Sequence, residues 1–442
     1  MTAASTPAAD ASTLGFIPAS ATHRLPAGMR DWLPEEARWR SLVTERLMNS
    51  LGRFCYQQVA LPPFEYADVL QRLGNHDEVL RFVEPESGEI VALRPDMTPQ
   101  VARLVATRYR DALWPARFCY QGTVTRRRRE RARLDNQLFQ VGFELVGCPG
   151  IAGDVEVLEA ATSALRATGL TNFTVDMSHA QVAGALLEPL SPEWRAAFVE
   201  CLNLKDGAEL RRRGKSSGLP AKVVDAIVQL PELYGSDDVW PRAEKILGGT
   251  PAEAPMRVLK SLWQAAVSAE LAPRFVVDLG ETRELDYYTG AMFHLLADGP
   301  GEPLGSGGRY DTLFDRFEMA CPAAGFAFDV SNILWALSKS GVVEARAAAV
   351  LVLRPPGVDA DHHAAALLRE LRRRSLACAE ITDAAAAPEY AQRWSFTHVL
   401  ELGRGAPRLR LAESSASIAL TATEPSALAE VVAARVRVIE DQ

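Results

Sequence analysis

The stretch Gly305–Leu334, GSGGRYDTLFDRFEMACPAAGFAFDVSNIL, constrains the fold of this chain more than any other. A glycine tract runs into the turn Gly307-Gly308-Arg309-Tyr310-Asp311, then an apolar run, Gly325–Phe328, continues into a helical pattern. Upstream lies a polar, aromatic-flanked segment, Arg283-Glu284-Leu285-Asp286-Tyr287-Tyr288. It precedes the Gly-Gly-Arg-Tyr-Asp turn by about 20 residues, a spacing that fits strands and turns of an antiparallel sheet. Alone, the glycines would read as a turn; their place after Arg283 gives them meaning.

The chain has 442 residues, 48% of them hydrophobic, enough for a large core and two or three domains. With 48 Lys+Arg against 56 Asp+Glu the formal net charge is −8, which does not suit a general polyanion binder. The six cysteines are scattered with no C-x-x-C pair, so free thiols in a reducing cytoplasm are expected, and neither a disulfide framework nor a metal site. His362 and His363 are adjacent and would point about 100° apart on a helix, a poor metal pair. No apolar run approaches the ~20 residues of a membrane span.

Residues 1–22 are rich in Ala, Ser and Thr and read as a disordered tail without a secretory signal. Pro34-Glu35-Glu36 opens a helix whose apolar positions Trp39, Leu42, Val43, Leu47 and Leu51 recur at helical spacing up to Gly52. Arg81–Glu84 and Ile90–Leu93 predict a hairpin ending at Arg94-Pro95-Asp96-Met97-Thr98, where Thr98 can cap the next helix. Strands are expected from Arg117 to Thr125 and from Leu138 to Val146. On the second, Gln140 and Glu144 are four apart and so share a face, as a pocket floor or as a solvated sheet face. Between these strands, Arg126–Arg133 reads either as a contact for phosphate, nucleic acid or an acidic partner, or as a solvated hairpin tip. An acid-capped helix with Asp154 and a strand Phe173–Met177 follow. Residues from about 191 to 272 predict a helical insertion, and Phe275–Leu279 returns to the sheet. Residues 346–442 alternate β and α and form a small separate α/β domain.

Taken together, these segments resemble histidyl-tRNA synthetase and its non-synthetase relatives, in order, from about Pro26 onward. The resemblance implies an α+β class II aminoacyl-tRNA synthetase-like domain over 23–340: an antiparallel sheet flanked by helices, with the helical insertion inside it. The C-terminal α/β domain resembles a degenerate anticodon-binding domain. Pro62-Pro63-Phe64-Glu65 ends the first signature segment, which in the family builds a dimer interface. The histidine pocket of the family corresponds here to Asp96, Thr98, Arg126, Gln140, Glu144, Arg283, Tyr287 and Tyr288. Carboxylates suit an ammonium group, arginine suits a carboxylate, and aromatic faces flank an imidazole. Asp96 stands where the family usually has glutamate, and Glu284 where it has glycine; both reshape the pocket.

The nucleotide side departs further. Arg126 keeps one phosphate clamp of the family, but Arg128 replaces an acid, Asn136-Gln137 replace an arginine-acid pair, and Ser331-Asn332 replace an acid-arginine pair. Asparagine supplies no fixed positive charge to a phosphate, and losing one such contact commonly costs about 100-fold in rate. The resemblance therefore points to the branch of regulatory subunits of ATP phosphoribosyltransferase. Such a chain has no catalytic residue or cofactor of its own, partners a short catalytic subunit, responds to histidine and forms a homodimer through its core. The alternative is a working histidyl-tRNA synthetase, favoured by the C-terminal domain, which many regulatory paralogues lack. A third reading is a tRNA-binding module without either activity.

Overall fold

A computed structural model describes residues 25–70, 79–126, 136–282, 288–342, 348–354, 361–403 and 405–440. The segment 1–22, most of the basic run after Arg126, and Arg283–Tyr287 lie outside the described residues. Contacts divide the chain between residues 342 and 343 into two compact units.

The first unit is built on a nine-stranded sheet. In spatial order its strands are Gln57–Gln58, Ala116–Thr125, Gln137–Val146, Ala323–Asp329, Gly305–Arg309, Ala291–Leu296, Thr174–His179, Arg274–Asp278 and Tyr234–Gly235. The sheet is mixed, where the sequence suggested an antiparallel one. Gln57–Gln58 runs parallel to Ala116–Thr125, and Thr174–His179 runs parallel to Arg274–Asp278. The second pairing has a topological cause: the chain between those strands is a long helical crossover, and such a connection returns a strand in the same direction.

That crossover consists mainly of the helices Pro192–Asn203, Gly207–Ser216, Ala221–Gln229, Val239–Leu247 and Glu253–Ser268. It builds no core of its own. Phe198, Leu210, Ile227, Leu259 and Trp263 join one continuous core with sheet residues Val141, Phe143 and Phe326. The helix Pro34–Arg53 buries Val43, Leu47 and Leu51 in that same core, as its periodicity predicted. The hairpin also forms, with Arg81–Val83 antiparallel to Ile90–Leu93.

The two faces of the sheet carry different cores. On Gln137–Val146, the odd positions Val141, Phe143 and Leu145 face the helical core. Leu138 and Val146 face a second cluster with Met97, Val101, Tyr120, Tyr310 and Phe314. Strand alternation therefore places Gln140, Gly142 and Glu144 on the second face.

Asp154 does not cap its helix. Gly150–Ala167 begins after Pro149 with no side-chain cap. Asp154 is instead buried and accepts a hydrogen bond from Arg309 Nε at 2.7 Å. Arg309 also donates to Asp311 Oδ1 and to the carbonyls of Cys148 and Gly150, so all three of its guanidinium nitrogens are engaged by the fold. Burial pushes the Asp154 carboxyl up to about 6 against the lowering effect of Arg309.

The second unit is a five-stranded sheet in the order Ala377–Ile381, Ala349–Leu353, His398–Glu401, Arg408–Leu411, Ser417–Ala419. The first three strands are parallel and the rest antiparallel. Residues of Asp361–Arg373 and Pro425–Glu440 pack with one set of its buried side chains, and Ala387 and Ala391 with the other.

Removing Arg309 alone strands a buried carboxylate. Arg309→Leu is expected to lower unfolding free energy by about 3–5 kcal/mol. The double variant Arg309→Leu/Asp154→Leu should recover most of that loss. Urea denaturation of both proteins measures it, and additive losses would show that the two groups are not coupled.

Candidate functional site

Glu144 organises the second face. It is 2% exposed, and its Oε1 accepts from Thr98 Oγ1 at 2.6 Å and from Tyr120 OH at 2.8 Å. Oε2 accepts from the hydroxyl of Tyr310. Four segments thus meet on one carboxyl: the start of helix Thr98–Arg108, strands Ala116–Thr125 and Gln137–Val146, and the turn after Gly305–Arg309. A glycine makes the space. A Cβ on Gly325, which pairs with Glu144 in the adjacent strand, would lie 1.7 Å from Oε2 and 2.6 Å from the Phe143 carbonyl oxygen.

Thr98 caps nothing. The helix Thr98–Arg108 is preceded by Asp96, whose Oδ1 accepts from the amides of Met97 at 2.7 Å and Thr98 at 3.5 Å. The carboxylate takes over the orphan amides, which frees the Thr98 hydroxyl for Glu144. Neither Tyr120 nor Tyr310 was among the expected pocket residues, although Tyr310 lies in the Gly-Gly-Arg-Tyr-Asp turn. Tyr120 lies in the predicted strand, but only the register that pairs it with Gly142 brings its hydroxyl to Glu144.

Burial is the largest influence on Glu144 and pushes its carboxyl up to about 8. The hydrogen bonds from Thr98 and Tyr120 pull it down, and the negative charge of Asp96 adds to the rise. The Tyr120 hydroxyl is pushed well up by burial and by the charges of Glu144 and Asp96. On the same strand face Gln140 is 6% exposed, and its Oε1 is buried without a hydrogen-bond donor among the described residues. Leaving such an acceptor unmet costs about 1–3 kcal/mol. Tyr288 is buried against Gly308, where a Cβ would come within 3.0 Å of its ring. Arg126 donates from Nε to the Pro95 carbonyl at 2.6 Å, beside Asp96. The structure therefore gathers Asp96, Thr98, Arg126, Gln140, Glu144 and Tyr288 around one face, while Arg283 and Tyr287 lie outside the described residues. Acceptors dominate, with one cation at the edge: a ligand with N–H donors or a positive charge fits. Among the described residues no cluster of His, Cys, Asp and Glu could hold a metal ion.

At the positions where the resemblance places replaced nucleotide contacts, the described side chains bond within the fold. Asn332 is 4% exposed and donates from Nδ2 to the Pro303 carbonyl at 2.8 Å. Asp329 accepts from the amides of Ser331 and Asn332, so the positive end of helix Val330–Lys339 already meets its own carboxylate. Asn136 donates to the Ala27 carbonyl at 3.1 Å, and Gln137 Oε1 accepts from the Arg30 amide at 3.5 Å. Arg128 lies outside the described residues.

Residues 28–333 match the family model described as histidyl-tRNA synthetase, which sets the class of fold. A solved histidyl-tRNA synthetase from Nostoc sp. PCC 7120 superposes with a TM-score of 0.74 at 19% identity, over 93% of this chain and 99% of that one. A structure from Bacillus halodurans, described as an ATP phosphoribosyltransferase regulatory subunit/histidyl-tRNA synthetase, gives 0.73 at 24% identity, over 86% of this chain and 99% of that one. Sequence relatives narrow the class. The ATP phosphoribosyltransferase regulatory subunit of Syntrophotalea carbinolica is 33% identical over 88% of this chain and 92% of its own length. That of Anaeromyxobacter sp. strain K is 38% identical over 71% of this chain and 91% of its own. Within the histidyl-tRNA synthetase class, the chain belongs to the family of ATP phosphoribosyltransferase regulatory subunits.

The raised Glu144 carboxyl has a signed consequence. Because its folded value lies above its ordinary 4.5, its contribution to stability is full below about 4.5 and is lost as pH rises through about 8. Glu144→Gln removes that loss. Between about pH 5 and pH 8.5 the unfolding free energy of the variant should gain a few kcal/mol on that of the wild type. A flat difference across that range would mean Glu144 is ionised throughout. Gly325→Ala is expected to destabilise the fold by about 2–3 kcal/mol, read from the same denaturation curves.

Proposed function

We propose that this chain is a non-catalytic regulatory subunit of ATP phosphoribosyltransferase and that the Glu144 face is its histidine site. It pairs with a short catalytic subunit, is required for that subunit's activity, and transmits feedback inhibition by histidine in the first step of histidine biosynthesis. One observation carries the ligand reading. The buried, unmet Gln140 Oε1 lies on the same sheet face as Glu144, whose carboxyl feels the charge of Asp96, and calls for a donor such as an ammonium or imidazole N–H. Arg126 at the edge suits the carboxylate of the same amino acid.

Absence of catalysis in the chain itself is supported by the side chains on the nucleotide side. Asn332, Asn136 and Gln137 are engaged with backbone groups of the fold and supply no positive charge to a phosphate. Self-association through the core is supported by a three-stranded sheet of Phe64–Tyr66, Ile90–Leu93 and Arg81–Val83, whose Phe64, Tyr66, Phe82 and Ile90 are exposed. The physical content of regulation is a coupling free energy between the histidine site and the partner's active site, typically about 1–3 kcal/mol.

The test is phosphoribosyl-ATP formation by a short-form ATP phosphoribosyltransferase from the same source, with and without this chain, under a histidine titration. Activity that appears only in the mixture and falls with histidine is the expected result. Histidyl-tRNA formation without any activation would overturn the proposal. Gln140→Ala should weaken histidine binding about 10-fold in calorimetry, equal to about 1.4 kcal/mol, with the melting temperature kept or raised.

A further inference from the structure

The residues just after the N-terminal segment lie against the base of the arginine-rich hairpin. Gly28 O accepts from the amides of Asn136 at 2.8 Å and Gln137 at 3.3 Å, and Asn136 Nδ2 donates to Ala27 O. The Arg30 amide donates to Gln137 Oε1. A stack of alternating cations and rings reinforces this edge. The Arg30 guanidinium lies 3.8 Å from the centroid of Trp32, and that of Arg40 lies 5.0 Å from Trp32 and 4.7 Å from Phe139. Arg40 belongs to helix Pro34–Arg53, which is anchored in the main core, so the stack ties a surface segment to a rigid element.

Directly across the hairpin base is Arg126. Its amide donates to the Asn136 carbonyl at 2.9 Å, and its Nε to the Pro95 carbonyl. Arg126 is thus fixed at two points. One is the loop that carries Asp96; the other is Asn136, which the N-terminal segment holds. Among the described residues its guanidinium makes no ion pair. Two residues that replace the arginine-acid pair of the synthetases, Asn136 and Gln137, are the same two that receive the segment.

We propose that residues 26–40 form a strap that docks on Asn136 and Gln137 and sets the position of Arg126, and through it the affinity of the site for a ligand carboxylate. Trp32 and Asn136 are positioning residues: neither needs to touch the ligand. The inference rests on the histidine reading of the pocket, and it deepens that reading by giving the carboxylate end of the ligand a separately tunable contact.

Histidine and histidinol, which lacks the carboxylate, separate positioning from general damage. In calorimetry on the full chain, Trp32→Ala should raise the Kd for histidine about 5-fold or more and leave that for histidinol within about twofold. Trp32→Phe, which keeps an aromatic face for both arginines, should restore histidine binding. In an Arg126→Gln background Trp32→Ala should add nothing, because the group it positions is gone. Asn136→Ser, which removes the Nδ2 contact to Ala27 while keeping the backbone pairing, should reproduce the Trp32→Ala pattern in a smaller degree and guards against a Trp32 variant that fails to fold. Equal losses for both ligands, or no loss for either, would overturn the strap. If the wild type binds no histidine, the functional reading fails. The strap then stands or falls on hydrogen exchange of the ligand-free protein: faster exchange at the Arg126 and Asn136 amides in Trp32→Ala supports it, and unchanged exchange overturns it.

Discussion

One buried carboxyl determines how the second face of the large sheet is assembled. Among the described residues Glu144 has no charge partner within hydrogen-bonding reach and meets three hydroxyls, Thr98, Tyr120 and Tyr310, drawn from three other segments. A buried ionisable group without such donors would be several kcal/mol too costly to keep. The demand passes to its neighbours. Gly325 must be glycine to leave room, the helix at Thr98 must be capped by something other than Thr98, and Tyr120 must sit opposite Gly142, where a side chain would collide with its ring.

The Gly-Gly-Arg-Tyr-Asp segment serves both faces of the same sheet. Strand alternation sends Gly308 and Tyr310 to the Glu144 side and Arg309 to the helical side, where it meets Asp154. Arg309 is therefore a structural cation whose hydrogen bonds are spent on Asp154, Asp311 and two backbone carbonyls, while Tyr310 belongs to the candidate site. One short motif thus couples the seating of helix Gly150–Ala167 to the geometry of the pocket.

The cleft is asymmetric. Around Glu144, acceptors are held in place and the Gln140 acceptor is unmet; around Asn332 and Asn136, polar side chains bond to the backbone of the fold. Asn332 holds the Pro303 carbonyl, Asp329 occupies its own helix terminus, and Asn136 and Gln137 anchor the segment around Gly28. The fold shared with a solved histidyl-tRNA synthetase thus carries, at these positions, polar groups that bind the chain to itself.

The sequence by itself determined the elements and the pattern of the site. Helical periodicity located Pro34–Arg53, and alternation put Gln140 and Glu144 on one face. Signature segments in order identified the class, because local spacing survives substitution. What depends on contacts distant in sequence was decided only by the tertiary structure. The parallel pairing of Thr174–His179 with Arg274–Asp278 follows from a crossover whose direction no local pattern encodes. Asp154 and Thr98 both look like capping residues locally, and both are drawn off by partners 155 and 46 residues away. Desolvation is the physical reason. A buried polar group takes whichever partner the fold places nearest, and the short-range preference that a sequence displays is worth only about 1 kcal/mol against it.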